Sequence, residues 1–363
     1  MTDSAQDRPM RMHVLLVLLA LTAIAAPSAP ISSKSAQAGA SGASIPASTR
    51  PAQSGNAETQ QMPLEDVVRV AEFYRLSTQI QDSIWPEWSQ APSPLLLVTA
   101  DSEFLTHSPS PPKGFTKVAE DMFVRPRVFD TQFLATMPAF GPPAVMVVGE
   151  PKNTLAKSST PWLITLMHEH FHQLQYGKRG YYEAVRALGL SRGDTTGMWI
   201  LNYPFPYDKP DVVEGFSHLR DLLLAALSTA DDQQFKKAAA DYVAERKKVF
   251  ARLSTDDHKY LSFQLWQEGI ASYTQIKAGE AAENYHPSAE FASLPDYLPF
   301  ADYARQARAQ NMAELKAADI AKMKRIFVYP FGAAEGLFLD RLNPGWKRAY
   351  FERPLSTDSL FEQ

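Results

Sequence analysis

The segment Leu166-Met167-His168-Glu169-His170-Phe171-His172-Gln173 gathers the side chains of this chain best suited to chemistry. On an α-helix, residues four apart stand one turn apart on the same face, so the imidazoles of His168 and His172 can reach one ion. Glu169 follows the first of them and need not bind that ion. Its carboxylate is placed to take a proton from a water activated there and to pass it to a leaving group. His170 points away from the 168/172 face and is expected to support the site or the fold, not to ligate. The plainer reading, histidines on a helix surface or in a satisfied core, leaves their desolvation cost in an apolar helix unexplained.

A catalytic ion of this kind normally has three protein ligands and a water. In the longer motif His-Glu-x-x-His-x-x-Gly-x-x-His the last two named positions would fall on Gln175 and Lys178, so that solution is excluded. Glu268, in Trp266-Gln267-Glu268-Gly269-Ile270-Ala271-Ser272-Tyr273, is the preferred third ligand. It stands among Leu261, Phe263, Leu265, Trp266, Ile270, Ala271 and Tyr273, where a carboxylate requires a cation or hydrogen-bond donors. Gly269 costs about 1 kcal/mol of helix propensity relative to alanine. That cost makes sense if another backbone, or the metal helix, comes close. Glu214, in Val213-Glu214-Gly215-Phe216-Ser217-His218, competes for the same role on a less apolar helix; with His218 it is otherwise an ordinary surface pair. An oxyanion needs a further donor. Tyr329 is the candidate, because Val328-Tyr329-Pro330-Phe331-Gly332 opens a segment of small residues, with Tyr273 as the alternative. Either tyrosine serves equally well as a core aromatic.

The two segments together, His168-Glu169-x-x-His172 and Glu268-Gly269-x-Ala271-x-Tyr273, resemble the gluzincin group of zinc metallopeptidases. The resemblance covers the two helices and the Tyr329 region, a small part of the chain. It implies a zincin-like fold and one Zn2+ per chain held by His168, His172 and Glu268, with Glu169 as general base. It also implies a peptide or protein substrate added to an edge strand, for which Ala144–Val148 is the expected segment. The group often carries an acidic residue one turn beyond the third ligand; Ser272 stands there, which leaves the partner that orients the histidines unassigned. Three other readings use the same residues: a zinc hydrolase of non-peptide amides or esters, an inactive zincin-like binding protein, and a metal carrier. Retention of Glu169 argues against the second. The scatter of the other histidines, His13, His107, His218, His258 and His286, argues against the third.

These residues need elements to position them. Ser159-Thr160-Pro161 reads as a hydroxyl cap and first turn for a helix over Trp162–Tyr176, ended by Gly177. Strands are expected at Pro94–Thr99, Phe123–Phe129 and Ala144–Val148. Helical spacing marks residues 64–84, 211–229, 232–253, 259–278 and 299–326, and a last apolar helix at about 332–342. The order predicts an α+β fold: a small mixed sheet in the N-terminal half, then a mainly helical C-terminal half.

The balance of 36 basic against 40 acidic side chains, a net charge of −4, gives no footprint for nucleic acid. Absence of cysteine excludes disulfides, a thiolate metal site and a lipid anchor on cysteine. Arg8 and Arg11, then the apolar run Val14–Ala26, then small residues have the order of a secretory signal, with cleavage after Ala25 or Ala38. The run is shorter than the roughly 20 residues of a membrane span. Residues 1–26 are therefore expected to be a signal peptide and 27–61 a disordered linker. Residues 62–363 are expected to form the catalytic domain of an exported protein, periplasmic or secreted, without stable membrane insertion once the signal is removed.

Overall fold

The computed structural model describes residues 61–362 apart from Thr195, so the expected signal and spacer at residues 1–60 lie outside the described residues. Helix α1 (Leu64–Ile84) turns Val70, Phe73, Leu76, Ile80 and Ile84, spaced three and four apart, into the core. Six strands follow: β1 (Leu95–Val98), β2 (Ser102–Thr106), β3 (Thr116–Ala119), β4 (Met122–Pro126), β5 (Leu134–Met137) and β6 (Val145–Gly149). They form one sheet in the order β3-β4-β2-β1-β6-β5. Strands β1 and β6 pair in parallel, with Leu95 opposite Met146; the other neighbours are antiparallel.

Alternate residues of the central strands serve two cores. Leu95, Leu97, Phe104, Met146 and Val148 join the main core, while Leu96, Val98, Leu105, Val145 and Val147 join a smaller cluster closed by Phe115, Phe129, Phe133 and Phe140. Burial on both faces is why β1 and β6 read as unbroken apolar runs and appear where the sequence places them. The strand expected at Phe123–Phe129 stops at Pro126. Beyond it, the amides of Val128 and Phe129 donate to the buried Glu103 carboxylate at 2.7 and 2.5 Å and leave the ladder. Strands β2, β3 and β5 were not expected. One consequence is a correction: β6, expected at the sheet edge, lies between β1 and β5, and the edge strand on that side is β5.

The remainder is helical: α2 (Ser159–Gly177), α3 (Tyr181–Ala187), α4 (Trp199–Asn202), α5 (Pro210–Ser228), α6 (Asp232–Ala251) and α7 (Thr255–Gln264), which continues through a π-helical turn (Leu265–Gly269) into α8 (Ile270–Ala281). Then come α9 (Ala289–Ala292), α10 (Phe300–Ala317), α11 (Ile320–Met323), α12 (Val328–Leu342) and α13 (Trp346–Tyr350). The expected division into a sheet-bearing N-terminal half and a helical C-terminal half is thus observed. The helix expected over 299–326 breaks after Ala317, where the Asp319 carboxylate caps α11 by accepting from the amides of Ala321 and Lys322. Helix α12 begins at Val328, not near residue 332, and takes Pro330 into its first turn, where the missing N–H breaks no helical bond. The start of α2 is also corrected. Ser158 holds the cap position without a side-chain bond. The Ser159 hydroxyl donates to Asp296 and accepts from Arg69, and the Thr160 hydroxyl donates to the Leu298 carbonyl, tethering α2 to the segment before α10.

Helix α12 crosses the π turn at two glycines. A Cβ added to Gly269 would stand 2.7 Å from the Cα of Gly332. The close backbone anticipated at Gly269 is therefore that of α12 and not of the metal helix. Gly269→Ala is expected to lower stability by about 1–3 kcal/mol through overpacking, although alanine is the better helix former. Urea denaturation of both proteins measures this, and an unchanged midpoint would mean that the helices can separate at no cost.

Candidate metal centre

Helix α2 is buried on almost every side, from Trp162 to Gln175, and its polar side chains are therefore the ones to account for. His168 and His172 leave it on one side, with Nε2 atoms 3.2 Å apart and rings edge to face. Glu268 comes from the π turn, its Oε2 lying 3.8 Å from His168 Nε2 and 3.5 Å from His172 Nε2. All three residues are 2% exposed. Neither Glu268 Oε2 nor His168 Nδ1 has a hydrogen-bond partner. Leaving a buried polar group unsatisfied costs about 1–3 kcal/mol, and more for a charged one. Two imidazole nitrogens and a carboxylate oxygen, all within 4.8 Å of one another, are a donor set that can hold a divalent metal ion.

The chain matches no model of a known protein family, no curated protein and no solved structure. Its site therefore stands on its own geometry. Glu214 and His218 are exposed on α5, and Glu214 is not brought to the histidines. Glu169 is 1% exposed, and the Thr136 hydroxyl on edge strand β5 reaches both its backbone carbonyl (2.8 Å) and its Oε2 (2.9 Å). Tyr329, in the first turn of α12, lays its ring nearly parallel to His168, with centroids 6.4 Å apart. Tyr273 is not brought to the centre; its hydroxyl donates to Asp340 at 2.7 Å and its ring packs against Gly336.

Four further residues complete the site, and sequence reasoning missed their roles. The two hydrogens of the Gln175 amide nitrogen are shared among three acceptors, the carbonyls of Trp266 and Gln267 and the Tyr350 hydroxyl. That fixes its oxygen against His172 Nδ1 at 2.7 Å, so Nδ1 carries the proton and the Nε2 lone pair faces Glu268. The Gln267 amide donates to the same Gln175 oxygen, while its own oxygen accepts from Tyr181. Gln175 thus orients His172, the role left open at Ser272. Arg325 lies 3.9 Å from Glu268 Oε1 and donates to the Tyr329 hydroxyl at 3.2 Å. Thr136 is the fourth. A buried glutamine one turn beyond a histidine was the signal for Gln175; Arg325, beside Lys322 and Lys324, carried none.

Burial works against the charge on Glu268, yet the two histidines and Arg325 outweigh it and hold its pKa well below the usual range. His172 is the converse: burial lowers its pKa, and the carboxylates of Glu268 and Glu169 raise it to a net increase. The Tyr329 phenol is pushed up by burial first and by Glu268 next, so it keeps its proton. His170 is no ligand. Its ring lies against Trp88, its nitrogens meet Gln173 and Gln81 at 2.8 and 3.0 Å, and burial pushes its pKa down to about 4.

Gln175→Ala is expected to weaken metal binding by about 10–100-fold, the usual loss when a partner that orients a ligand is removed. Glu214→Gln is expected to leave affinity unchanged. Competition with a chromogenic chelator reads both, and the reverse ranking would return Glu214 to the centre.

Proposed function

We propose that the chain is an exported zinc-dependent peptidase of zincin-like architecture. The observation that supports this most directly is the buried, unpartnered Glu268 Oε2 facing two imidazole Nε2 atoms, one helix position from Glu169. Tetrahedral zinc with bonds of about 2.0–2.1 Å separates its ligand atoms by about 3.3–3.4 Å. The separations here are 3.2, 3.5 and 3.8 Å, and the residues present fit the ion.

Zinc at this position would polarise a substrate carbonyl and make a water acidic near neutral pH. Glu169 then does the proton work. It takes a proton from the water as the oxygen–carbon bond forms and returns it to the amide nitrogen as the carbon–nitrogen bond breaks. Thr136 holds that carboxylate toward the sheet edge. Tyr329 keeps its proton, hydrogen-bonded to Glu268 and accepting from Arg325, and would turn that proton to an oxyanion once substrate is bound. An extended peptide fits the free edge of β5 and not β6, because β5 has a strand on one side only. Export rests on the N-terminal sequence, and among the described residues no helix is long and apolar enough to cross a membrane.

Metal content by plasma mass spectrometry tests the reading. Near-stoichiometric zinc is expected in the wild type and little in His168→Ala or Glu268→Ala; a wild type that takes up no zinc on reconstitution would sink it. Glu169→Gln is expected to retain zinc and to lose about 10²–10⁴-fold in peptide hydrolysis. Undiminished cleavage by that variant would remove Glu169 from the proton path.

A further inference from the structure

A cavity of about 370 Å3 opens at the C-terminal end of α2. Its walls include Pro142, Pro143 and Ala144 from the turn between β5 and β6, and Tyr176 and Tyr182 from α2 and α3. Gln173, also in the wall, is fully engaged. Its amide nitrogen donates to the carbonyls of Pro94 and Ala144, and its oxygen meets His170. No residue lining the cavity carries a formal charge, and the prolines offer no N–H. Such a chamber favours an uncharged group that brings its own apolar surface.

One ring, that of Tyr176, belongs both to the cavity wall and to the packing around a candidate ligand. Tyr176 lies nearly parallel to His172, centroids 6.0 Å apart, and on its other side meets Tyr182 at 6.3 Å. Strand β5 leads the same way. Thr136 meets Glu169, and after Met137 the chain turns through Pro142 and Pro143 over Gln173 and Tyr176. Along α2 the step from Glu169 to Gln173 or Tyr176 is about 6–10 Å at a rise of about 1.5 Å per residue. An extended substrate advances about 3.3 Å per residue, so the cavity lies about two to three residues from the scissile bond.

We propose that this cavity is a specificity pocket that receives one uncharged aromatic or branched aliphatic side chain of a substrate held at the metal centre. It rests on the peptidase reading, and two readouts separate them. The first is ligand-observed NMR on the zinc-reconstituted full chain with N-acetyl amides of phenylalanine, leucine, lysine and glutamate. The phenylalanine and leucine amides are expected to bind at least tenfold more tightly than the charged pair, and Ala144→Phe, which fills the cavity, is expected to abolish the difference. Equal binding of all four, or an Ala144→Phe protein that binds like wild type, overturns the pocket. If Ala144→Phe does not fold, Tyr182→Ala carries the test: a widened cavity is expected to shift preference from the phenylalanine to the tryptophan amide, and an unchanged order overturns the proposal. The second readout is cleavage of a peptide library varied on both sides of the scissile bond. Selective amide binding with no peptide cleaved leaves the pocket and removes the peptidase. Cleavage with one and the same preference in wild type and Ala144→Phe leaves the peptidase and removes the pocket.

Discussion

A carboxylate in an apolar interior has to be compensated, and Glu268 sets that requirement for the surrounding helices. Its two oxygens are answered from different directions. Oε1 lies 3.9 Å from the Arg325 guanidinium, and Oε2 faces the two imidazoles. The π turn carries it to that position. In a regular helix Gln267 and Glu268 would diverge by about 100°. Here Gln267 meets Gln175 and Tyr181 while Glu268 meets the histidine pair, so both are used on the α2 side. A π turn of this kind often marks a functional position. The glycine contact between the π turn and α12 sets how closely Tyr329 and Arg325 approach, so the packing of two glycines and the charge balance of the site are one constraint.

Helix α2 distributes that constraint to the rest of the protein. Its apolar residues fill the core, and each polar residue of its C-terminal half goes to a different neighbour. Glu169 meets β5, His170 meets α1, Gln173 meets the turns before β1 and β6, and Gln175 meets the π turn. A helix bonded on so many sides has little freedom to rotate, which keeps two imidazoles aimed at one point. Preorganised ligands lose less entropy when they bind.

The three clustered residues of the candidate centre were legible because their signals are local or contrast with their surroundings. His168 and His172 share one helix, where spacing alone fixes a common face, and Glu268 is an acid in an apolar run. The rest failed for physical reasons. Strand β2 contains Glu103, which breaks an apolar pattern in sequence but is fully buried against Arg125 and two backbone amides. Strand β5 carries Thr136, whose hydroxyl is committed to Glu169. Without these strands, β6 looked like the end of the sheet. The π turn differs from an α-helix in backbone geometry and not in composition, so no pattern of residue types announces it. Arg325 follows lysines that face solvent, and only the crossing of α12 over the π turn makes it part of the centre.

The same burial that makes Glu268 expensive strengthens whatever charge is held beside it. Electrostatic interactions grow as water is excluded, and a group fixed by packing need not reorient when charge develops on a substrate. Arg325 sits on the side of Glu268 away from the histidines, so it offsets the carboxylate without taking the oxygen that faces them. It also donates an N–H to the Tyr329 hydroxyl, whose own proton turns to the Glu268 carboxylate. One guanidinium thereby serves both the ligand and the candidate oxyanion donor. Both contacts come from one guanidinium nitrogen, Nη1.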